Sequence, residues 1–279
     1  MSAPGDFLAR MAASSRARVE AARARVGSDE LAARVAELPP PPPLRLEGRF
    51  DLIAELKLRS PAMGVLSSSA ADLEARVSSY AAAGAATVSV LTEPDRFDGN
   101  LDHLERASKA LAPLGIPTMR KDFLVDPYQL LEARMAGAGG ALLIVRMLDD
   151  ETLTLMARRA AELGLFLLLE TFDAAEVAIA ERIATEWRGR ASDCLIGVNS
   201  RDLTTLQVVP ERLFELADRL PAAFPRVAES GLVDENDAAR LAAAGYTMAL
   251  VGTALMASPD PVALGRRMIA SGRAERPFG

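Results

Sequence analysis

The chain of 279 residues has few of the side chains on which many catalytic sites depend. It contains one cysteine, Cys194, and one histidine, His103, and only 5% of its residues are aromatic. A single cysteine excludes an internal disulfide framework, and one histidine leaves little material for a zinc site or a Ser-His-Asp triad. We therefore expect no metal, a structural or surface position for His103, and Cys194 as a small buried apolar residue. Lysines and carboxylates would have to carry any enzymatic activity.

Long apolar runs and an excess of positive charge are also missing. The longest apolar run, residues 163–169, contains a glycine and is too short to cross a bilayer. A net charge of −6 and a pI near 5.1 argue against a nucleic-acid partner. No secretory signal is recognisable, so we expect a cytoplasmic protein without membrane or nucleic-acid partners. The choice between monomer and homodimer stays open.

Lysine is the third scarce residue. Of the 32 Lys and Arg residues, only Lys57, Lys109 and Lys121 are lysines, and two of them, Lys57 and Lys121, end short apolar runs. Arginine stays protonated at any accessible pH, whereas a desolvated lysine can also give up its proton. Lys121 is therefore a candidate general acid. The alternative is a lysine that only forms a salt bridge at a strand end.

From residue 50 onward, short apolar runs alternate with amphipathic stretches that often begin with Asp and close with Ala-Gly, which is typical of helices. Apolar strands joined by helices indicate parallel pairing with right-handed crossovers. Eight repeats predict an α/β fold, the closed (β/α)₈ TIM barrel. An open doubly wound sheet is the alternative, but no Gly-x-Gly-x-x-Gly follows the first strand. The predicted strands are 51–57, 86–92, 116–121, 141–145, 165–170, 195–199, 226–229 and 248–252.

The first part of the chain differs in composition from this repeat. Residues 1–48 are rich in Ala and Arg, with apolar residues at helical spacing, and contain five consecutive prolines at 39–43. Consecutive prolines stop a helix and form a stiff extended segment. We therefore predict an N-terminal helical arm with a proline-rich connector at 1–48, followed by the catalytic barrel at 49–279.

The C-terminal ends of the strands share one mouth in a barrel of this kind, and active sites lie there. The predicted strands end in charged or polar residues, and alternation along the first strand places Glu55 and Lys57 on one face. So many charges in one place indicate catalysis, although a self-satisfied ionic cluster is the alternative. The residues at these ends are Glu55, Lys57, Lys121, Glu170, Asn199, Arg201, Glu229 and Ser230.

The last two strands end in glycine-containing segments, which bring Gly231, Gly252 and Thr253 to the mouth. Glycine lets backbone N–H groups approach a phosphate, and a short helix after the last strand would present its positive end. A phosphorylated small-molecule substrate is therefore expected. Phe97 and Phe123 follow strand ends in predicted loops, where they either flank a flat ring or anchor the loops.

Segments across the barrel match, in order, the motifs of one family, and the sequence resembles the indole-3-glycerol phosphate synthases of tryptophan biosynthesis. The resemblance covers residues 52–256, whereas the arm resembles the family poorly. The matching segments include Ile53-Ala54-Glu55-Leu56-Lys57, Arg59-Ser60-Pro61, Phe97-Asp98-Gly99, Arg120-Lys121-Asp122-Phe123, Asn199-Ser200-Arg201-Asp202-Leu203, Ala228-Glu229-Ser230-Gly231 and Leu250-Val251-Gly252-Thr253.

The resemblance implies a carboxy-lyase that needs no cofactor. It would close 1-(2-carboxyphenylamino)-1-deoxyribulose 5-phosphate to indole-3-glycerol phosphate, with loss of carbon dioxide and water. Lys121 would protonate the developing alkoxide, Glu170 would be the base that takes the amine proton, and Lys57 and Lys121 compete for the second acid step. Glu55 would orient the lysines. The substrate contacts expected are Lys57, Ser60, Phe97, Phe123, Asn199, Arg201, Glu229 and Ser230.

Two departures from the family pattern are visible. Phe172 stands where many members carry histidine, and the first loop reads Pro-Ala-Met-Gly at 61–64 instead of Pro-Ser-Lys-Gly. The loop change is expected to affect lid closure and product release more than chemistry. Two rival interpretations stay open: a barrel enzyme in which Lys57 or Lys121 forms a Schiff base, and a non-catalytic paralogue that binds phosphosugars.

Overall fold

The computed structural model describes residues 6–47, 49–60, 64–65, 72–187, 193–203 and 205–275. Eight parallel strands close into a barrel, in which each strand pairs with its neighbours in the repeat and the first pairs with the last. This confirms the predicted (β/α)₈ barrel. Within the described ranges, none of the helices combines the length and apolar character needed to cross a membrane.

The eight predicted strands are all present, within three residues at each end. Two further short strands, β2 and β3, form a separate antiparallel pair outside the barrel. The strands are β1 Asp51–Leu56, β2 Arg59–Ser60, β3 Gly64–Val65, β4 Thr87–Leu91, β5 Thr118–Lys121, β6 Gly140–Ile144, β7 Phe166–Thr171, β8 Cys194–Asn199, β9 Arg226–Glu229 and β10 Met248–Val251.

Helices connect successive barrel strands, and two helices precede the barrel in the arm. The helices are α1 Asp6–Arg23, α2 Ser28–Ala36, α3 Leu73–Ala83, α4 Pro94–Phe97, α5 Leu101–Leu111, α6 Tyr128–Met135, α7 Asp150–Glu162, α8 Ala174–Trp187, α9 Glu211–Ala217, α10 Glu235–Ala243, α11 Thr253–Ala257 and α12 Pro261–Ala274.

Strand alternation divides the core into an inner and an outer layer. Every second strand residue points into the barrel, as Ile53, Met119 and Leu168 do, and these side chains form one apolar cluster. The intervening residues point outward and pack against the helices in a larger cluster. The inner cluster closes the lower barrel, so only the residues at the C-terminal strand ends face an open mouth.

The N-terminal arm packs against the barrel. Met11 of α1 belongs to the inner apolar cluster, and Ser15 accepts a hydrogen bond from Gln129 Nε2 at 2.9 Å. Leu31 of α2 packs with Leu131 of α6. The proline segment follows the barrel surface, where Arg134 Nη2 donates to the Pro39 carbonyl at 2.9 Å.

The scarce residues occupy structural positions. His103 lies buried on α5, and its backbone N–H donates to Asn100 Oδ1 at 2.8 Å. Cys194 is a free thiol, 7% exposed, at the start of β8, as expected for a small buried residue. The altered tip of the first loop, residues 61–63, and the side chain of Ser60 lie outside the described residues.

Candidate active site

The strand-end residues singled out in the sequence converge at the mouth of the barrel. One cavity is lined by Glu55, Lys57, Phe97, Lys121, Phe123, Glu170, Asn199, Arg201 and Ser230. An adjoining cavity shares several of these residues and adds Glu229, Gly231, Gly252 and Thr253. Ser60 is the one predicted site residue whose side chain the structure does not describe.

Lys121 is the centre of the charged cluster. Its Nζ lies 2.9 Å from Glu170 Oε2 and 3.7 Å from Glu229 Oε2. Burial opposes the charge on Lys121, but its acidic neighbours, Glu170 above all, outweigh burial and raise the pKa of the lysine. The free site therefore holds Lys121 as an ammonium ion with a proton to donate.

The second lysine forms its own pair at the end of β1. Lys57 Nζ donates to Glu55 Oε1 at 2.7 Å, as expected for two residues on one face of a strand. Burial favours the neutral acid at Glu55, but Lys57 and Lys121 outweigh that effect and lower its pKa. Gly252 on the neighbouring strand end leaves room for this pair, because a Cβ at 252 would overlap Glu55 Oε1.

Glu229 is unlike the other carboxylates of the mouth. It is 1% exposed, no N–H or hydroxyl group of the described residues donates to its carboxyl oxygens, and it shares a hydrogen bond with the carboxyl group of Glu170. Burial first, and then the charge of Glu170, raise its pKa well above the usual value for a glutamate. The site therefore combines a protonated lysine with one carboxyl group whose pKa is lowered, Glu55, and one whose pKa is raised, Glu229. Titratable groups with pKa values shifted in opposite directions are the pattern of an acid–base site.

Asn199 and Arg201 stand at the end of β8 and in the loop that follows it. The Asn199 side-chain oxygen accepts from the Arg201 backbone N–H at 2.8 Å, and Arg201 Nη1 donates to the Leu206 carbonyl at 2.8 Å. Arg212 of α9 donates to the Asn199 carbonyl at 2.9 Å. These bonds hold an amide and a guanidinium group over the cavity.

Backbone geometry after β9 and β10 suits an anion. Ser230 and Gly231 have φ values of 69° and 82°, and a side chain is rarely found in that region, so Ser230 carries local strain that is typical of functional sites. Gly252 precedes α11, which begins at Thr253. The short helix expected after the last strand is therefore present, and Gly252 and Thr253 at its start line the second cavity.

The aromatic residues differ in part from the expectation. Phe97 lies in the short helix α4, where a loop was predicted. Its ring centroid is 6.4 Å from that of Phe123, and the two ring planes are tilted by 38°. A flat substrate ring stacked between them would need a centroid separation of about 7 Å, which is twice the van der Waals contact distance. The two rings are in mutual contact and form one wall of the cavity. Sequence reasoning missed Phe7 of α1, which meets Phe123 edge-on at 5.8 Å.

Arg18 of α1 is a second contribution that the sequence analysis missed. Its guanidinium group donates two hydrogen bonds to Asp122, at 2.9 and 2.8 Å, and Asp122 directly follows Lys121. The two residues are 104 positions apart, so no local pattern links them. The one signal in the sequence was Asp122 itself, an acid next to the candidate catalytic lysine.

Phe172, where many family members carry histidine, is buried beside the site. The Arg146 guanidinium lies 4.3 Å from the centre of its ring, and Arg212 approaches it at 5.8 Å. A neutral ring suits these two positive neighbours, because a histidine there would be disfavoured in its charged form. The described part of the chain holds no group of three or more His, Cys, Asp or Glu side chains suited to a metal ion.

The closed barrel and the acid–base cluster at its mouth define the class of the protein as a (β/α)₈-barrel enzyme. Two solved structures share the fold at low identity. Thiamine phosphate pyrophosphorylase from Pyrococcus furiosus aligns with a TM-score of 0.58 at 14% identity, covering 82% of this chain and 98% of that one. 3-Hexulose-6-phosphate synthase from Salmonella typhimurium aligns with a TM-score of 0.59 at 13% identity, covering 81% and 100%.

Sequence comparison identifies the family. The family model for indole-3-glycerol phosphate synthase matches residues 8–268. Indole-3-glycerol phosphate synthases from Nocardioides sp. and Mycobacterium tuberculosis are 41% and 39% identical, covering 86% and 92% of this chain and 88% and 91% of their own lengths. The chain belongs to the indole-3-glycerol phosphate synthase family. The match begins at residue 8, inside α1, and so extends beyond residues 52–256, over which the sequence resemblance was seen.

Proposed function

We propose that this barrel closes 1-(2-carboxyphenylamino)-1-deoxyribulose 5-phosphate to indole-3-glycerol phosphate, with Lys121 as the general acid. Family membership supports the reaction. The observation that carries the role of Lys121 is its position: a buried ammonium group at the end of β5, 2.9 Å from Glu170. Arginine could bind the substrate there, but it could not release a proton.

The first step joins two carbon atoms of the substrate. The ring carbon that bears the carboxylate attacks the ketone carbon, and the electron pair of the C=O bond moves to oxygen. Lys121 donates a proton to that oxygen, which becomes a hydroxyl group. The bond to the carboxylate then breaks, carbon dioxide leaves, and its electron pair restores the aromatic ring.

The second step removes water. The new hydroxyl group leaves with a second proton, the aminomethylene unit loses one proton, and a double bond completes the indole. Glu170 is the base in this proposal. Both lysines stay candidates for the second acid, because Lys57 and Lys121 line the same cavity. Glu55, bonded to Lys57 at 2.7 Å, orients that lysine.

The remaining residues bind the substrate in this proposal. Backbone N–H groups at Gly231, Gly252 and Thr253 hold the phosphate. Lys57 and Arg201 pair with the anionic groups, and the aromatic wall of Phe97 and Phe123 packs against the anthranilate ring. Hydrogen bonds to the hydroxyls and the carboxylate come from Asn199, Glu229, Ser230 and Ser60.

The rival chemistry, a Schiff base on lysine, is less consistent with the site. A nucleophilic lysine must be neutral, whereas the carboxylates around Lys121 raise its pKa. Borohydride reduction in the presence of a keto-sugar phosphate distinguishes the two mechanisms. A covalent adduct on Lys57 or Lys121 would contradict the acid–base proposal.

The test of the function is the appearance of indole fluorescence when the purified protein meets the carboxyphenylamino-deoxyribulose phosphate. Lys121→Ala should reduce kcat by about 10²–10⁴-fold, because the proton donor is lost. Lys109→Ala is the matched control, since Lys109 is exposed and pairs with Glu105 on its own helix. Substrate binding without turnover in the unsubstituted protein would identify a non-catalytic paralogue.

We also propose that the enzyme works in the cytoplasm without a nucleic-acid partner. A free, buried Cys194 suits a reducing compartment, and the net charge of −6 disfavours binding to phosphate backbones.

A further inference from the structure

Glu229 is a buried carboxyl group without a directly bonded positive partner among the described residues. Both of its oxygens are buried, no N–H or hydroxyl group of the described residues donates a hydrogen bond to them, and their hydrogen-bonding neighbour is the Glu170 carboxyl group. The nearest cation is Lys121, whose Nζ lies 3.7 Å from Oε2, while Lys121 is hydrogen-bonded to Glu170 at 2.9 Å. Gly197 on β8 makes the space for Glu229, because a Cβ at 197 would overlap Oε1.

An ionised carboxylate in this position would be costly. Burying a charge without hydrogen bonds costs several kcal/mol, whereas the neutral acid costs much less. Of the charged groups around Glu229, Glu170 and Glu55 oppose its ionisation and Lys121 favours it. Burial and the nearby Glu170 accordingly raise its pKa well above the usual range. Geometry and charge agree on a protonated Glu229 in the free site.

The reaction described above consumes one proton for each turnover. Two protons are added to the former ketone oxygen, which leaves as water, and the aminomethylene unit returns one. The net uptake of one proton balances the negative charge that is lost when the carboxylate leaves as neutral carbon dioxide. Even after Glu170 returns the proton that it took, the lysines are one proton short. A further donor must therefore restore the ammonium ion.

We propose that Glu229 stores this proton and passes it to Lys121, an inference that rests on the proposed function. The O–H bond of Glu229 breaks, its electron pair stays on the carboxylate, and a new N–H bond forms on the neutral amine of Lys121. The 3.7 Å separation needs only a small side-chain movement to become a hydrogen bond. Glu229 then takes a proton from water when the product leaves.

Glu229→Gln separates this role from a role in substrate binding. Glutamine has nearly the same shape, can still form hydrogen bonds, and carries the same charge as the protonated acid. It cannot supply a proton. The variant should therefore slow the restoration of Lys121 far more than it slows the first proton transfer.

The experiment compares the release of labelled carbon dioxide in the first turnover with the steady-state rate. In Glu229→Gln, first-turnover release should fall far less than the steady-state rate, because Lys121 begins protonated. Steady-state kcat should fall at least about ten-fold, at the lower end of proton-transfer effects. An equal loss in both phases would indicate a structural or binding role, and no loss in either would remove Glu229 from the proton path. Either result overturns the proposal.

A second measurement needs no variant. As pH rises through the raised pKa of Glu229, the unsubstituted enzyme should lose steady-state rate while first-turnover release of carbon dioxide stays level, because Lys121 remains protonated to higher pH. Parallel loss of both rates, or of neither, contradicts the proposal. If the unsubstituted enzyme releases no carbon dioxide at all, the proposed function itself fails, and that outcome is distinct from a failure of the Glu229 inference.

Discussion

Two buried charge clusters lie on opposite sides of strand β5. The inner cluster at the mouth contains Lys121 and Glu229. The outer cluster lies against α1 and α6 and contains Arg120, Asp122 and Arg18. Neighbouring residues of one short segment thus serve both clusters, because alternation sends successive side chains to opposite faces.

The outer cluster is closed to proton chemistry. Asp122 accepts two bonds from Arg18 and a third from the Thr92 hydroxyl at 2.8 Å. Arg120 donates to the Gln129 carbonyl at 2.7 Å. All of its cations are arginines, which do not release protons. This cluster therefore fixes the arm to the end of β5.

The inner cluster has the opposite character. Its central cation is a lysine, and its three glutamates outnumber its two lysines. No N–H or hydroxyl group of the described residues donates a hydrogen bond to Glu229. Excess carboxyl groups around a lysine are unfavourable for stability but place protons where chemistry needs them. The comparison indicates that the type of cation distinguishes a structural cluster from a reactive one.

The largest expected effect is on catalysis in the inner cluster. Glu170→Gln should lower kcat by about 10²–10⁴-fold while the fold is retained, because the proposed general base is lost. Glu132→Gln is the same substitution in the outer cluster, where Glu132 pairs with Arg120 at 3.0 Å. The assay is indole formation at saturating substrate. A comparable loss of kcat in Glu132→Gln would show that the two clusters do not differ as described.

The next effect is on stability and belongs to the outer cluster. Asp122→Asn removes the charge shared by Arg18 and Arg120, and should lower the free energy of unfolding by about 3–5 kcal/mol. Urea denaturation measures this change. Lys109→Met breaks an exposed pair and should change stability by less than about 0.5–1 kcal/mol. Equal effects of the two substitutions would mean that the outer network contributes no more than a surface ion pair.

The pH dependence of stability should have opposite signs in the two clusters. Burial alone would favour the neutral acid at Asp122, but Arg18 and Arg120 lower its pKa. Its folded form binds fewer protons than the unfolded chain, so its contribution is present above about pH 4 and is lost as pH falls through the folded pKa. Glu229 has a raised folded pKa, so stability falls as pH rises from about 4.3 through that value.

Urea titrations between about pH 3 and pH 8 test this contrast. Relative to the unsubstituted protein, Glu229→Gln should gain stability as pH rises, whereas the deficit of Asp122→Asn should shrink as pH falls. If Glu229→Gln becomes less stable with rising pH, then Glu229 is ionised in the folded protein and the distinction between the clusters is lost.

The smallest effect concerns the arm at the mouth. Phe7→Leu removes the edge-on contact with Phe123, and such aromatic pairs contribute about 0.5–1.5 kcal/mol. KM should therefore rise about 2–10-fold, with kcat nearly unchanged. Phe214→Leu on α9 is the control, because Phe214 is 38% exposed and lies outside the site cavity. An unchanged KM in Phe7→Leu would show that the arm does not contribute to binding.

The sequence alone determined the barrel and the inner set of residues. Eight apolar runs, each ending in polar residues or glycine, specify parallel strands, and all parallel strands of a barrel end at one mouth. The convergence of Glu55, Lys57, Lys121, Glu170 and Glu229 therefore follows from local pattern plus topology. The scarcity of lysine was sufficient to single out Lys121, because arginine supplies positive charge almost everywhere else in the chain.

Tertiary structure alone decided the contacts made across long separations in the chain. Arg18 meets Asp122 over 104 positions, and Phe7 reaches Phe123 from the arm, because the packing of α1 over the mouth depends on side chains that no local period relates. The protonation states of Lys121 and Glu229 were likewise decided by the tertiary structure. Lys121 and Glu229 are both titratable in the sequence, but distance, burial and unmet hydrogen bonds, which exist only in the folded chain, determine which of them carries charge.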